Sequence, residues 1–157
     1  MAKTTRATQF LDKAGVAYTT ATYDYDPNAE RIGLQAAEAI GEHPSRVLKT
    51  LMAELDGKPV CVVVPSDKEV SMKKLANAFG GKSAAMMKPA NAEKLTGFVV
   101  GGISPFGQKK QVPTAIEITA MDEALVYMNG GQRGLQVRLS PEDALAALGA
   151  ISAPLVA

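Results

Sequence analysis

The chain has 157 residues, of which 46% are hydrophobic and 21% charged, and its formal net charge is +1. That length and composition suit one globular domain spanning residues 1–157 and exclude a disordered chain. A single cysteine, Cys61, excludes an internal disulfide framework or a cysteine-cluster zinc site, and a single histidine, His43, offers no histidine-rich metal site.

From the N-terminus, Met1-Ala2-Lys3 leads into Thr5–Ala14, where Ala7, Phe10, Leu11 and Ala14 share one helical face and Gly15 ends the helix. Val16–Tyr23, rich in Thr, Val and Tyr, reads as a strand, and the polar, proline-containing Asp24–Arg31 as a loop. Leu34, Ala37, Ala39 and Ile40 mark a second helix closed by Gly41, and Pro44-Ser45-Arg46 a tight turn. His43, at the helix exit, reads as a turn residue. Val47–Leu55 is ambiguous between strand and helix. Asp56-Gly57 and the apolar run Val60–Val64 favour a hairpin, with Lys49 on its first arm. Cys61 sits within that apolar run and reads as a small core residue rather than a nucleophile.

Ser71 caps a helix to Phe79, closed by Gly80-Gly81. Ala84–Met87 is a short strand, Asn91–Leu95 a short helix ending at Gly97, and Phe98-Val99-Val100 a strand running into Gly101-Gly102. Thr114–Ile118, Ala124–Met128 and Leu135–Leu139 read as strands, with a turn at Asn129-Gly130-Gly131. Ser140-Pro141-Glu142-Asp143 opens the last helix, with proline at its first position and acids in its first turn. The fold class is α+β: a mixed, mostly antiparallel, barrel-like β core with surrounding helices. No apolar run of about 18 residues suggests a membrane helix, and no signal peptide is visible, so a cytoplasmic location is expected.

Charge is unevenly spread. Residues 66–113 carry 8 Lys+Arg against 3 Asp+Glu, while residues 114–157 carry 2 against 5. The middle third is therefore either a solvated lysine-rich face or a surface for an anionic partner such as RNA.

Three segments are candidates for chemistry. The loop Gly101-Gly102-Ile103-Ser104-Pro105-Phe106-Gly107 has glycines that let a backbone turn tightly and let a ligand approach its N–H groups. It is neither a Walker loop nor a dinucleotide fingerprint, although the following Gln108-Lys109-Lys110-Gln111 suits phosphate contacts. Lys49, flanked by Leu48 and Thr50, is either an exposed lysine on a polar strand face, which the pattern alone favours, or an inward cation that requires a partner or a job. Asn129-Gly130-Gly131-Gln132-Arg133-Gly134 is either a plain hairpin turn or a loop whose Arg133 holds a phosphate or ribose.

Together these segments change the reading. Tyr23-Asp24-Tyr25-Asp26-Pro27, Val47-Leu48-Lys49-Thr50-Leu51, the string Thr96–Lys110 and Gly130-Gly131-Gln132-Arg133-Gly134-Leu135 resemble the YbaK family of Cys-tRNA(Pro) deacylases, related to the editing domain of bacterial prolyl-tRNA synthetases. The likeness runs from about Thr4 to Leu148. It implies hydrolysis of the ester joining a mischarged amino acid, typically cysteine, to tRNA(Pro), with no metal or organic cofactor. It implies mischarged tRNA and possible prolyl-tRNA synthetase as partners, with no DNA and no membrane. It places the important lysine at Lys49, the pocket aromatic at Tyr23 and backbone N–H donors at Gly101 and Gly102. Thr50, Ser104, Asn129, Gly130 and Arg133 become expected substrate contacts, and Lys109 and Lys110 expected tRNA contacts. The implied mechanism needs no protein nucleophile, because the cysteinyl thiol attacks its own ester and leaves as a thiolactone. Departures are Asn129 where relatives often carry Ser, Phe106 where they often carry Leu, and Gln132 where Lys or Arg is frequent. The rival readings are a non-catalytic tRNA-end or nucleotide-binding module, and editing of another mischarged species.

Overall fold

A computed structural model describes residues 4–28 and 32–157. Met1-Ala2-Lys3 and the end of the expected Asp24–Arg31 loop, positions 29–31, lie outside the described residues. The elements run α1 (Arg6–Lys13), β1 (Thr19–Thr22), α2 (Ile32–Ile40), a 3-10 turn (Pro44–Arg46), β2 (Leu48–Leu55), β3 (Lys58–Pro65), α3 (Met72–Ala78), β4 (Ala84–Met86) and α4 (Pro89–Thr96). They continue with β5 (Thr114–Glu117), a 3-10 turn (Ile118–Asp122), β6 (Val126–Asn129), β7 (Leu135–Leu139), α5 (Pro141–Leu148) and β8 (Ile151–Ala153).

The barrel-like core takes the form of two sheets. One has the order β1-β7-β6, all antiparallel; the other has the order β4-β2-β3-β5-β8. In the larger sheet β4-β2-β3 is antiparallel, while β3-β5 and β5-β8 are parallel. A parallel bridge between Val47 and Tyr127 joins the two sheets at the start of β2. The β2–β3 hairpin turns at Asp56-Gly57 with φ of 50° and 82°, the left-handed pair that a two-residue hairpin turn requires. The Asp56 carboxylate also accepts N–H bonds from Lys82 and Ser83, which locks the turn to the segment entering β4.

Strand β3 explains its own sequence. Successive side chains of a strand point to opposite faces. Cys61 and Val63 face a core with Leu48, Met52, Phe106 and Ile116, while Val60, Val62 and Val64 face a second core with Ala53, Leu75, Ala115 and Leu155. A strand buried on both faces reads as a continuous apolar run. Burial pushes the Cys61 thiol up to about 12, so it stays protonated and packs as a hydrophobe. His43 caps the 3-10 turn, its Nδ1 accepting the Ser45 N–H.

Helix ends follow local chemistry. The Ser71 and Ser140 hydroxyls accept the N–H groups of Lys74 and Asp143, and Gly97 and Gly149 end α4 and α5 in left-handed conformations. Three expectations are corrected. Phe98-Val99-Val100 is not a strand: Glu93 takes the Val100 N–H, and the Val99 carbonyl closes a turn with the Gly102 N–H, so nothing is left to form a ladder. The strand expected at Ala124–Met128 runs instead over Val126–Asn129, because a bend at 123–124 follows the 3-10 turn and delays the extended backbone. Strand β8 was not anticipated.

Glu117, at the end of β5, anchors the C-terminal segment. It is buried, one carboxylate oxygen accepting the N–H groups of Leu155 and Val156 and the other that of Thr119. Burial alone would raise its pKa, but these backbone donors outweigh burial and hold it below the ordinary carboxylate value. A carboxyl with a depressed folded pKa stabilises the fold above its unfolded pKa of about 4.3, and that contribution is lost as pH falls through the lower folded value. Glu117→Gln is expected to cost about 1–3 kcal/mol at neutral pH. In thermal unfolding followed across pH, the gap between native and variant should shrink below about pH 4; a gap that widens in acid refutes this account.

Candidate functional site

A cleft of about 300 Å³ opens where the two sheets meet. Strand β2 contributes Lys49 and Thr50, the segment after β1 contributes Tyr23 and Tyr25, and the glycine loop contributes Gly101 and Ile103. Asn129 of β6 and Gln136 of β7, paired across the small sheet, complete the polar side. Met52, Met86 and Met87 supply soft, adaptable apolar walls.

Lys49 is the single charged side chain among the described residues that line the cleft, and it forms no ion pair among them. The strand thus sets Lys49, half-buried, on the cleft wall, against the exposed reading that the residue pattern favoured. The lining holds no carboxylate, histidine or thiol, so among the described residues it offers no general base of the usual kind and no strong nucleophile. Burial first, then the neighbouring Tyr25, raise the Tyr23 pKa, only partly countered by the Gly134 backbone and Gln136. Its phenol stays protonated at neutral pH.

The two glycine loops approach at backbone distance. A Cβ on Gly101 would lie 2.6 Å from the Tyr25 hydroxyl, and one on Gly102 2.8 Å from the Arg133 nitrogen. The Asn129 amide spans the gap, donating to the Gly101 carbonyl at 3.1 Å while its oxygen accepts the Gly131 N–H at 2.7 Å. Arg133 donates from Nε to the Val100 carbonyl and lies over the Tyr25 ring, 5.1 Å from its centroid.

Of the expected site residues, the cleft brings together Tyr23, Lys49, Thr50, Gly101 and Asn129. Others have different places. The Gly102 N–H is spent on the Val99 carbonyl, so Gly102 is a packing glycine and not a donor to substrate. The Gly101 N–H meets no acceptor among the described residues and remains the loop's candidate donor. Ser104 is fully buried, its hydroxyl accepting the Phe106 N–H, and it shapes the loop without reaching the cleft. Gly130 is buried and donates to the Leu135 carbonyl; a Cβ there would strike the Leu135 side chain. Arg133 lies outside the lining and braces the loops. Lys109 and Lys110 are exposed and away from the cleft, whereas Gln108 is buried, donating to the Ser104 carbonyl.

Residue-by-residue reading missed Gln136. It is 4% exposed, and its Oε1 has no hydrogen-bond partner; the same is true of Thr50 Oγ1. A third unpartnered atom, Gln108 Oε1, lies away from the cleft. Buried polar atoms are normally paired, so two unpaired acceptors on one cleft mark it as the place where a ligand supplies donors. Strand alternation assigns Gln136 to the face of exposed Arg138, so no local signal reveals its burial.

Comparison with known proteins decides the family. The profile of the aminoacyl-tRNA editing domain matches residues 26–147. The chain belongs to this YbaK-type deacylase family. It is 33% identical over 143 residues to the candidate Cys-tRNA(Pro)/Cys-tRNA(Cys) deacylase EbsC of Enterococcus faecalis, covering 90% of this chain and 86% of that one. It is 24% identical to the multifunctional Ser/Thr-tRNA deacylase ProXp-y of Escherichia coli, covering 89% and 84%. The crystal structure of a candidate trans-editing enzyme for prolyl-tRNA synthetase superposes with a TM-score of 0.81 at 23% identity, covering 97% and 95%, and shares the fold.

Two substitutions separate packing from ligand contact. Thr50→Val removes an unpaired buried acceptor without changing shape and is expected to stabilise the fold by about 1 kcal/mol while lowering deacylation. Thermal unfolding and a deacylation assay check this; a loss of stability refutes the assignment. Gly102→Ala pushes a methyl against backbone that cannot swing aside and should cost about 1–3 kcal/mol, measured by denaturant unfolding.

Proposed function

We propose that this chain deacylates Cys-tRNA(Pro) in trans, with the substrate's own thiol as the attacking group. The observation that carries the reading is a cleft whose described residues hold one cation, polar neutral groups and no base or strong nucleophile. Such a site suits orienting a reactive substrate rather than attacking it. The cysteinyl sulfur bonds to the ester carbonyl carbon, the bond from that carbon to the ribose oxygen breaks, and the ribose oxygen takes up the proton that the thiol gives up. The cyclic thiolactone departs and opens in water. Lys49 offsets the negative charge, on the developing oxyanion or on the terminal nucleotide's phosphate, and the Gly101 N–H faces the carbonyl oxygen. The Tyr23 hydroxyl and the Asn129 amide bound the aminoacyl end. The methionines provide a wall that suits sulfur. Prolyl-tRNA synthetase is the candidate docking partner that would present the mischarged tRNA.

A second reading, removal of serine or threonine, draws on the unpartnered acceptors of Thr50 and Gln136, which would receive a substrate hydroxyl. A panel of mischarged tRNAs separates the two. The thiol mechanism expects Cys-tRNA(Pro) to be cleaved at least about 100-fold faster than Ser-tRNA(Pro), since an oxygen for sulfur exchange removes the nucleophile. Equal rates would eliminate it. Lys49→Ala should lower the rate by about 10²–10³, the scale of losing one electrostatic contact at a developing oxyanion, while the protein stays folded. Normal turnover by a folded Lys49→Ala protein rules out the role given to Lys49.

A further inference from the structure

Away from the cleft, three shallow depressions follow one another across the surface. The first lies between α1 and the end of the glycine loop and is lined by Arg6, Lys13 and Lys109. The second, along α4, is lined by Lys94, Lys109 and Lys110, and the third, beside the β2–β3 turn, by Lys58 and Lys110. Lys109 belongs to the first two and Lys110 to the last two, so the depressions form one continuous belt. Its six cations are all exposed and none forms an ion pair among the described residues. The belt's acids are Asp12 and Asp56, and both are already hydrogen-bonded, Asp12 by the Tyr18 hydroxyl and Asp56 by backbone N–H groups.

The belt shares its supports with the cleft. Helix α4 turns Pro89 and Ala92 to the cleft and Asn91, Lys94 and Leu95 to the belt. The glycine loop gives Gly101 and Ile103 to the cleft, and the same segment continues to Lys109 and Lys110. Eight residues of chain reach at most roughly 28 Å, so Gly101 and Lys109 lie within that distance. A rigid polyanion held by its end in the cleft can therefore lay its phosphates along the belt.

The geometry points to this belt as the phosphate track for the RNA duplex of the substrate, a use of Arg6, Lys13, Lys58 and Lys94 that neither the motifs nor the cleft discloses. This rests on the aminoacyl-tRNA reading of the cleft. The occupant is RNA rather than an acidic protein because the charges follow an extended, shallow path with no built pocket for a single carboxylate, as phosphate-backbone contacts do.

The test is equilibrium binding of an uncharged RNA hairpin, built as a tRNA acceptor stem with its single-stranded 3′ end, to the full chain across a salt series. Each phosphate contact contributes close to one unit to the slope of log affinity against log salt. The triple variant K94A/K109A/K110A is expected to lose about 2–3 units of slope and at least about tenfold in affinity at moderate salt. K94R/K109R/K110R should retain both, and K68A/K73A, which removes exposed lysines outside the belt, should change neither. An unchanged slope in the alanine triple variant, or an equal loss in K68A/K73A, overturns the belt. Deacylation by the native chain is measured alongside. Turnover with no belt-dependent slope refutes the track alone, and belt-dependent binding with no hydrolysis of any aminoacyl-tRNA refutes the catalytic reading alone.

Discussion

Between Gly102 and the backbone of Gln132 and Arg133 there is no room for one carbon atom. That contact sets the position of everything on the polar side of the cleft. It brings the 101–107 loop against the 129–134 loop, so that the Asn129 amide reaches the Gly101 carbonyl and Arg133 reaches the Val100 carbonyl. Arg133 then covers the Tyr25 ring, whose hydroxyl lies where any side chain on Gly101 would go. Behind the loop, Gln108 fastens the Ser104 carbonyl to the core near Met52 and Cys61. A larger residue at position 102 would separate the loops and disturb the Gly101 carbonyl and N–H together.

With the loops fixed, the cleft's electrostatics are simple. The Lys49 ammonium is carried by β2, which pairs with β3 along its whole length and sets Lys49 opposite Val64, so its origin is rigid. Rigid placement matters because an electrostatic contact stabilises a developing charge most when it needs no reorganisation. The acceptors that share the cleft lining with it are neutral: a hydroxyl, a carboxamide and a backbone carbonyl. A carboxylate there would pair with Lys49 and cancel its charge. Neutral acceptors leave the lysine's charge uncancelled and still offer partners to a ligand's donors.

What the sequence made legible was local. Asp56-Gly57 announced its hairpin because a left-handed pair of residues has few other uses, and Ser71, Ser140-Pro141 and Gly97 marked helix ends by chemistry that acts within four residues. What escaped depended on distant partners. Phe98–Val100 has strand composition, but Glu93 and Gly102 take its backbone groups. Strand β8 is a short, half-exposed edge whose register is set by β5 and whose exit is held by Glu117. The place of Lys49 on the cleft wall was unreadable from alternation because residues on both faces of β2 are covered. Gln136 looked like a solvent-facing neighbour of Arg138. The family resemblance named Lys49, Gly101 and Gly102 alike; the first two line the cleft, yet it could not distinguish the glycine that faces the cleft from the one that packs beneath it.

Glu117 and the pair Thr50–Gln136 show where the fold spends its hydrogen bonds. The chain places a carboxylate in the interior and meets it with three backbone N–H groups, more than enough to offset its burial. The same chain leaves two neutral acceptors unpaired on the wall of its main cleft. Each unpaired atom costs about 1–3 kcal/mol relative to a satisfied one, and an apolar side chain of equal size would remove the cost. A fold that satisfies its buried carboxylate in full, while carrying that penalty beside the one charged side chain among the described residues of the cleft, is organised around a ligand whose donors complete the set. Two of the three unpaired buried atoms among the described residues thus lie on the cleft wall, while the carboxylate in the scaffold behind it is fully bonded.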